Sequence, residues 1–406
     1  MSSEPPPTTA AALPATAPAA TADTLDPYAL DRAGLEALVA DLGQPRYRAD
    51  QLRAWLVRGV DDPSEMTDLP AGLRTALAAR FAPARPQLVA HTVADDGHTH
   101  KLLLRFPDGE AIETVLMLYP DRATVCISTQ AGCAMGCPFC ATGQAGFRRQ
   151  LTAGEVVRQV VVADAALRSG AIGAEQLPAG APSRVTNVVF MGMGEPLANL
   201  PATLATVRWL HDPEGFHLSA RAITVSTVGL TPGITKLATL GLPVTLAVSL
   251  HAATDRLRDD LVPVNRQHPL AEVEQAMAAY RRATNRRVSI EWCLIGDVND
   301  DEEQADRLGA IARRLRAHVN VIPMNPTPGV RWKEPTAART RAFVERVTRR
   351  GATVTLRDTR GRDADAACGQ LLASYTLGAG TRLTAAVGAA ERIDAAGAPG
   401  LPEVPT

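Results

Sequence analysis

The chain has 406 residues, of which 46% are hydrophobic and only 4% aromatic, so alanine supplies much of the apolar content. Lysine and arginine total 42 against 43 aspartate and glutamate, a net charge of −1 that excludes a uniformly basic nucleic-acid coat but not a local basic face. Six cysteines are too few for a disulfide scaffold in this length, and four of them lie between Cys126 and Cys140.

The amino-terminal part of the chain predicts a leader followed by a small helical domain. Residues 1–26 are rich in proline, alanine and threonine, and we expect them to be disordered because they offer little apolar surface to bury. Within residues 27–84, apolar side chains from Leu35 to Leu42 repeat at helical spacing, and Gly43 follows as a candidate helix cap. This domain is either a packing unit, which composition favours, or an accessory RNA-binding domain.

Residues 85–122 change to the alternation typical of strands and predict a β extension. Runs at 101–106 and 111–118 flank a Pro-Asp-Gly sequence, which is typical of a hairpin turn. Glu113 lies in the second run between Ile112 and Thr114. A carboxylate at such a position is usually on the solvent face of the sheet.

Strand and helix patterns alternate along residues 123–360. Six βα units in series predict an α/β fold with a parallel sheet, either an open doubly wound sheet or a partial (βα)6 barrel. Ligands of both folds bind at the carboxyl ends of the strands. The predicted strands are 124–128, 187–191, 222–226, 244–249, 289–295 and 320–323, and the predicted helices include 154–167, 202–210, 270–282, 301–316 and 336–350.

Three cysteines follow the first predicted barrel strand with the spacing C-x3-C-x2-C: Cys133, Cys137 and Cys140. Thiolates this close together select zinc or an iron–sulfur cluster. A structural zinc site needs a fourth protein ligand from elsewhere, whereas a [4Fe–4S] cluster held by three cysteines leaves one iron open to a substrate. The spacing resembles that of the radical S-adenosylmethionine (SAM) superfamily, with zinc as the minor alternative.

Polar or glycine residues follow several predicted strands, where the fold argument places a ligand. The segment 192–196, Gly-Met-Gly-Glu-Pro, resembles the radical SAM segment that contacts the amino group of the methionine moiety. A single polar residue at a strand end is commonly a cap, but four successive strand ends favour a pocket. The candidate SAM-binding residues are Gly194, Glu195, Ser226, Ser249, Leu250, His251 and Asn325.

Cys368 follows an arginine-rich turn and precedes Gly369, so it is either a reactive thiol or a packing residue. Cys293, on a predicted strand, fits the packing interpretation better. Together with the cluster loop, Cys126 and the segments above, the Cys-Gly-Gln-Leu ending resembles the bacterial adenine-C2 RNA methyltransferase family over roughly residues 30–385. That family methylates adenosine 2503 of 23S rRNA and adenosine 37 of tRNA.

The resemblance implies a ping-pong mechanism with a [4Fe–4S] cluster and two SAM molecules per turnover. Adenine C2 is electron-poor and cannot attack the SAM methyl group, so a thiolate takes the methyl first, the role implied for Cys368. A 5′-deoxyadenosyl radical from the second SAM activates that methyl for addition to C2. Glu113 is implied as the acceptor of the C2 proton, and Cys126 as the resolving thiol of a transient Cys126–Cys368 disulfide.

Two other functions stay open at this point: an adenine-C8-directed 23S rRNA methyltransferase of the resistance type, and a non-catalytic, zinc-stabilised RNA-binding protein. The resemblance implies 23S rRNA and tRNA as partners, with a flavodoxin or ferredoxin as electron donor. No apolar run reaches the roughly 20 residues of a membrane span and no basic signal start precedes Arg32, so we expect a soluble, cytoplasmic protein. Residues 361–386 form the predicted carrier segment and residues 387–406 a flexible tail.

Two groups of arginines are candidates for RNA phosphate contacts. The group beside Cys368 is the better candidate, because the other one could equally be a solvated helix end. The first group is Arg281, Arg282, Arg286 and Arg287, and the second is Arg357, Arg360 and Arg362.

Overall fold

The structure is a computed structural model, and it describes residues 24–82, 85–172, 180–325, 330, 332–357, 361, 365–366 and 369–371. The predicted carboxyl-terminal tail and most of the predicted leader lie outside these residues. Cys368, Arg360 and Arg362 also lie outside them.

One large mixed sheet and a short two-stranded sheet are formed by the described residues. Runs of β-branched residues such as Asn187–Phe190 and Thr245–Ser249 favour the extended backbone of the large sheet. The strands are β1 Gln87–Ala94, β2 Thr99–Arg105, β3 Ala111–Leu118, β4 Ala123–Cys126, β5 Gln130–Gly132, β6 Phe147–Gln150, β7 Asn187–Phe190, β8 Ile223–Thr227, β9 Thr245–Ser249, β10 Ser289–Leu294, β11 His318–Pro323 and β12 Thr353–Leu356.

Several helices begin at side chains that cap their first free N–H groups. Thr152 and Glu155 form a capping box at the start of α5, and Asp301 and Thr336 cap α10 and α11. Across the described ranges, no helix combines the length and the apolar character needed to cross a membrane. The helices are α1 Arg32–Asp41, α2 Tyr47–Val57, α3 Ala71–Arg80, α4 Ala141–Ala145, α5 Ala153–Arg168, α6 Leu200–His211, α7 Thr231–Ala238, α8 Asp255–Leu261, α9 Leu270–Thr284, α10 Glu302–Leu315 and α11 Ala337–Arg349.

The ten strands of the large sheet lie in the order β1-β2-β3-β4-β7-β8-β9-β10-β11-β12. From β4 onward all neighbours are parallel, with helices in the connections, which confirms the predicted α/β partial barrel. The six predicted strands correspond to β4, β7, β8, β9, β10 and β11. Strand β12 was not predicted, because its four residues are mostly exposed and carry no buried apolar run.

The β extension is part of the same sheet. Strands β2 and β3 form the predicted hairpin, with the amide of Gly109 donating to the carbonyl of Phe106. Strand β1, which was not predicted, pairs outside β2, while β3 pairs antiparallel with β4. The hairpin therefore places Glu113 beside the first barrel strand.

The amino-terminal helices pack against α5 of the barrel through a buried ion cluster. The guanidinium of Arg158 contacts Asp26 and Asp61 and lies over the ring of Tyr28. Leu25 also forms a bridge to Phe81. Leu25 and Asp26, which the sequence assigns to the leader 1–26, are thus attached to the neighbouring helices and to α5.

Candidate active site

A pocket opens at the carboxyl ends of the parallel strands, where the fold argument predicted a ligand. The strand-end segments and the cysteine loop line it together with two residues of the carboxyl-terminal segment. Among its lining residues are Cys133, Cys137, Cys140, Gly192, Gly194, Glu195, Ser226, Ser249, His251, Asn325, Gly369 and Leu371.

The cysteine loop is held in a tight fold between β5 and α4. The amide of Cys133 donates to the carbonyl of Gly146 at 2.9 Å, and the amide of Cys140 donates to the carbonyl of Cys137 at 3.1 Å. Gly132 has a φ of +74°, and a Cβ there would lie 1.9 Å from the carbonyl oxygen of Gly146. Only glycine allows this close approach of two backbones. The three cysteines of the loop that follows all line the pocket.

The three thiols share one environment. Burial raises the pKa of Cys133 to about 12, and it raises the pKa of Cys137 well above its usual range. The neighbouring thiols add to both shifts, while Arg258 lowers the pKa of Cys137. A bound metal centre would replace the thiol protons of Cys133 and Cys137, because thiols bind metals as thiolates.

The donor set is soft. Three thiols line the pocket together, those of Cys133, Cys137 and Cys140. Soft thiolates select zinc or an iron–sulfur cluster. A [4Fe–4S] cluster held by three cysteines leaves one iron without a protein ligand, and these three residues fit such a cluster.

Glu195 connects two strand-end loops. Its carboxylate accepts the amide N–H of Leu197 at 3.0 Å and that of Val228 at 2.8 Å. Burial raises its pKa to about 7, although these donors oppose the shift. A buried carboxylate that faces a pocket suits an amino group, which would supply the missing positive partner.

The glycines of the 192–196 segment are required by the packing of their own loop. A Cβ on Gly192 would lie 2.7 Å from the hydroxyl of Ser128, and a Cβ on Gly194 would lie 2.6 Å from the side chain of Gln130. Gly194 also has a φ of +99°. Both glycines let the loop pack against the residues that follow β4.

The polar residues predicted at the strand ends face the pocket with one exception. Ser226, Ser249, His251 and Asn325 line it, whereas the side chain of Leu250 is fully buried in the hydrophobic core. Successive residues at the end of a strand point to opposite faces, so the predicted contact of Leu250 with SAM falls to its backbone.

His251 is a neutral donor. Its Nδ1 accepts the amide N–H of Cys293 at 3.0 Å, so its proton sits on Nε2. Burial and the charge of Arg258 lower its pKa to about 3. The ring meets Phe139 of the cysteine loop edge-on, with centroids 4.9 Å apart, and this contact fixes its orientation.

The carboxyl-terminal segment is attached to the cysteine loop. The amide of Ala141 donates to the carbonyl of Gly369 at 2.8 Å, and the hydroxyl of Thr142 donates to the carbonyl of Leu371 at 2.5 Å. These donors directly follow Cys140 in the chain. Cys368 itself lies outside the described residues, but the residue after it lines the pocket.

Glu113 and Cys126 lie next to the pocket, on β3 and β4. Cys126 pairs with Val115 in the antiparallel register, two residues from Glu113. The amide of Glu113 contacts the sulfur of Met193, between the two loop glycines, at 3.4 Å. Glu113 is only 6% exposed, so the expectation that its carboxylate lies on a solvent face is wrong: strand β3 is buried on both faces.

Four residues at or near the site were not predicted as site residues from the sequence. Glu291 and Cys293 on β10 line the pocket, and Asn320 donates to the Glu291 carboxylate at 2.8 Å. Cys293 was interpreted as a packing residue, and nothing in its strand pattern separates that from a pocket wall. Lys101 on β2 contacts Glu113 at 3.1 Å, a pairing that depends on the hairpin register.

The two arginine groups lie at different places. Arg281 and Arg282 are in the last turn of α9, just before β10, and Arg286 donates to Thr245 at the start of β9. The first group is thus at the amino-terminal edge of the sheet, opposite the pocket. Of the second group, only Arg357 is described, directly after β12.

Comparison with known proteins shows the superfamily to which the chain belongs. A model of the radical SAM superfamily matches residues 127–308, and a model of the ribosomal RNA large subunit methyltransferase N-terminal domain matches residues 27–82. A solved radical SAM methyltransferase from Sphaerobacter thermophilus has a TM-score of 0.80 and 47% sequence identity, covering 86% of this chain and all of that chain. The chain is a radical SAM protein.

The family follows from curated relatives named probable dual-specificity RNA methyltransferase RlmN. The one from Salinispora tropica is 52% identical over 85% of this chain and 92% of its own length. The one from Frankia alni is 54% identical over 82% of this chain and 79% of its own length. The chain belongs to the RlmN family and is a radical SAM RNA methyltransferase.

Proposed function

We propose that the protein methylates C2 of adenosine in 23S rRNA, at adenosine 2503, and in tRNA, at adenosine 37. The observation that carries this proposal is the attachment of the segment around Cys368 to the cysteine loop, through Ala141 and Thr142. A methyl carrier must meet both the cofactor and the RNA base. The cytoplasm, where 23S rRNA and tRNA are found, is the compartment that this function requires.

Cys133, Cys137 and Cys140 hold the proposed [4Fe–4S] cluster. When bound, the cluster and SAM supply one-electron chemistry, with electrons from a flavodoxin or ferredoxin and two SAM molecules per turnover. Gly194 and Glu195 receive the amino group of SAM, while Ser226, Ser249, His251 and Asn325 contact the rest of the molecule. The backbone of Leu250 fixes this wall, since its amide donates to the carbonyl of Glu291 at 3.0 Å.

Three side chains carry the ping-pong mechanism. Cys368 takes the methyl group as S-methylcysteine, and that methyl carbon, once activated, forms a bond to adenine C2. The C2 proton passes to Glu113, and one electron leaves to an acceptor of the iron–sulfur class. The Cys126 thiolate then attacks the Cys368 sulfur; the carbon–sulfur bond breaks, the released carbon takes a proton, and a transient Cys126–Cys368 disulfide remains.

The proximity of Cys126 to Glu113 along adjacent strands supports this division of roles. The five described cysteines form no disulfide with one another, and Cys368 lies outside the described residues. Methylation at C8 of the same adenine is the nearest alternative, since the cofactor and both thiols serve either position.

The test uses the full chain, reconstituted with iron and sulfide without oxygen, and transcripts of the rRNA domain and of tRNA. We expect C2-methyladenosine in both RNAs by mass spectrometry and NMR of the nucleosides, and S-methyl-Cys368 before RNA is added. Cys368→Ala should give neither product, while the pocket-lining control Cys293→Ala should retain RNA methylation. C8-methyladenosine, or C2 methylation by Cys368→Ala, would contradict the proposal.

A further inference from the structure

Lys101 joins two parts of the site that are far apart in the chain. Its Nζ lies 3.1 Å from Oε1 of Glu113 and 3.3 Å from the backbone carbonyl of Asp365, three residues before Cys368. Both contacts are made from β2, the middle strand of the extension. One ammonium group therefore touches the proposed proton acceptor and the segment that carries the proposed methyl carrier.

The first contact compensates a buried charge. The Lys101 side chain is 14% exposed and that of Glu113 is 8% exposed, so little water screens the pair. A buried carboxylate is strongly disfavoured unless an opposite charge accompanies it. Lys101 places an opposite charge beside the Glu113 carboxylate and holds it in one orientation.

The second contact belongs to a set that fixes the turn before Cys368. The carboxylate of Asp95 accepts the amide N–H of Gly361 at 2.8 Å, and the amide of Ala366 donates to the carbonyl of Gly361 at 2.9 Å. Asp95 anchors this turn from the start of β2, where its carboxylate also accepts the hydroxyl of Thr99. Lys101 differs from it because its ammonium bridges the turn and the Glu113 carboxylate.

We infer that Lys101 is a positioning residue for proton removal from adenine C2, acting through Glu113 while the carrier segment is docked. The inference rests on the proposed function. In the step concerned, the proton moves from C2 to a Glu113 oxygen and its bonding electron pair stays in the ring, while Lys101 keeps its proton throughout. Methyl transfer from SAM to Cys368 does not involve this pair.

The two halves of the reaction can be measured separately on the reconstituted full chain. For Lys101→Met we expect S-methylation of Cys368 without RNA within twofold of wild type, but RNA methylation at least tenfold slower. Covalent RNA–protein adduct should accumulate on denaturing gels, as for Glu113→Gln. Lys101→Arg should recover most of the rate, and Lys101→Met/Glu113→Gln should be no slower than Glu113→Gln alone.

Asp95→Ala is the matched control, because it loosens the same turn without touching Glu113. It should lower Cys368 methylation and RNA methylation in parallel. The claim that Lys101 acts through Glu113 fails if Lys101→Met lowers both methylation steps in parallel. It also fails if the effects of Lys101→Met and Glu113→Gln multiply in the double variant, or if Lys101→Met raises only the KM for RNA.

The outcome also separates this inference from the proposed function. If Glu113→Gln stalls with adduct and Lys101→Met turns over normally, only the role of Lys101 fails. If Glu113→Gln itself turns over normally, the assignment of Glu113 fails and the role of Lys101 fails with it. Thermal melting of each variant identifies loss of folding, and Lys101→Arg then provides the test with the charge retained.

Discussion

The hydroxyl of Ser128 donates a hydrogen bond of 2.7 Å to the backbone carbonyl of Glu113, and the same hydroxyl accepts the amide N–H of Met193 at 2.9 Å. Ser128 is fully buried. It therefore links strand β3, the chain that leaves β4 and the glycine loop after β7. The proposed proton acceptor and the proposed SAM-binding loop share this one hydroxyl.

We expect Ser128→Ala to lower the unfolding free energy by about 1–3 kcal/mol, because it leaves a buried carbonyl and a buried N–H without this partner. The rate of RNA methylation should fall further than the loss of folded protein alone would explain, because Glu113 and the glycine loop lose a common anchor. Denaturant titration and turnover assays on the same preparation measure both effects. Ser169→Ala, at an exposed hydroxyl that donates to the carbonyl of Ala166, is the matched control and should leave activity intact.

Cys137 is the most buried of the three loop cysteines, at 5% exposure. We expect Cys137→Ala to abolish cluster assembly, because two thiolates leave two irons without protein ligands. Iron and sulfide analysis after anaerobic reconstitution, with the visible spectrum, measures this directly. Cys293→Ala changes a thiol in the same pocket but on β10, and it should bind as much iron as wild type; equal loss in both variants would contradict the assignment of the ligands.

Gly194 and Gly109 both have a positive φ, of +99° and +89°, but only Gly194 is crowded. A Cβ on Gly109 meets nothing within 4 Å, whereas a Cβ on Gly194 would collide with Gln130. We expect Gly109→Ala to lower the unfolding free energy by about 1–2 kcal/mol. We expect Gly194→Ala to lower the unfolding free energy by a further ~1–3 kcal/mol, because its added methyl group would overpack the loop.

Binding should separate the two variants further. Gly194→Ala displaces the loop that carries Glu195, so we expect its affinity for SAM to fall at least tenfold, while Gly109→Ala binds SAM like wild type. Isothermal titration with the reconstituted protein measures both. Equal affinities would mean that the glycine loop tolerates the displacement and that Gly194 is not needed for the cofactor.

The sequence was sufficient to predict the barrel strands and the edge of the sheet where the pocket lies. Apolar runs such as 187–191 and 289–295 are long enough to identify, and the carboxyl ends of parallel strands necessarily meet. Helices α7 and α8 were given no predicted bounds because they are short, at eight and seven residues. Local pattern is a weak guide to elements of that length.

The contacts that connect the site could not be predicted in the same way. Lys101 and Asp365 are 264 residues apart in the chain, and nothing in either local pattern points to the other. The role of Glu195 as a link between loops depends on the position of Val228 after the next strand. Such pairings follow from strand order and register, which a single sequence specifies only through the complete fold.

The pH dependence of stability should report on the extension that carries Lys101. His100, next to Lys101 on β2, is 2% exposed, and its Nδ1 faces Nε2 of His91 at 3.0 Å. Burial, helped by the charge of His91, lowers the pKa of His100 to about 4. The unfolded chain, with a pKa near 6.5, binds this proton more readily, so the contribution of His100 to stability is present above pH 6.5 and is lost as the pH falls toward 4.

This lowering of the His100 pKa corresponds to a loss of about 3 kcal/mol of unfolding free energy between pH 6.5 and 4. His100→Phe keeps an aromatic ring against His91 and removes the titration, so the variant should gain about that much relative to wild type as the pH falls. Urea unfolding of both proteins from pH 7.5 to 4.5 should reveal most of this change, after subtraction of the constant difference at high pH. Parallel curves over the whole range would show that His100 has the same pKa in the folded and the unfolded protein, and that acid does not weaken the β1–β2 pair through this residue.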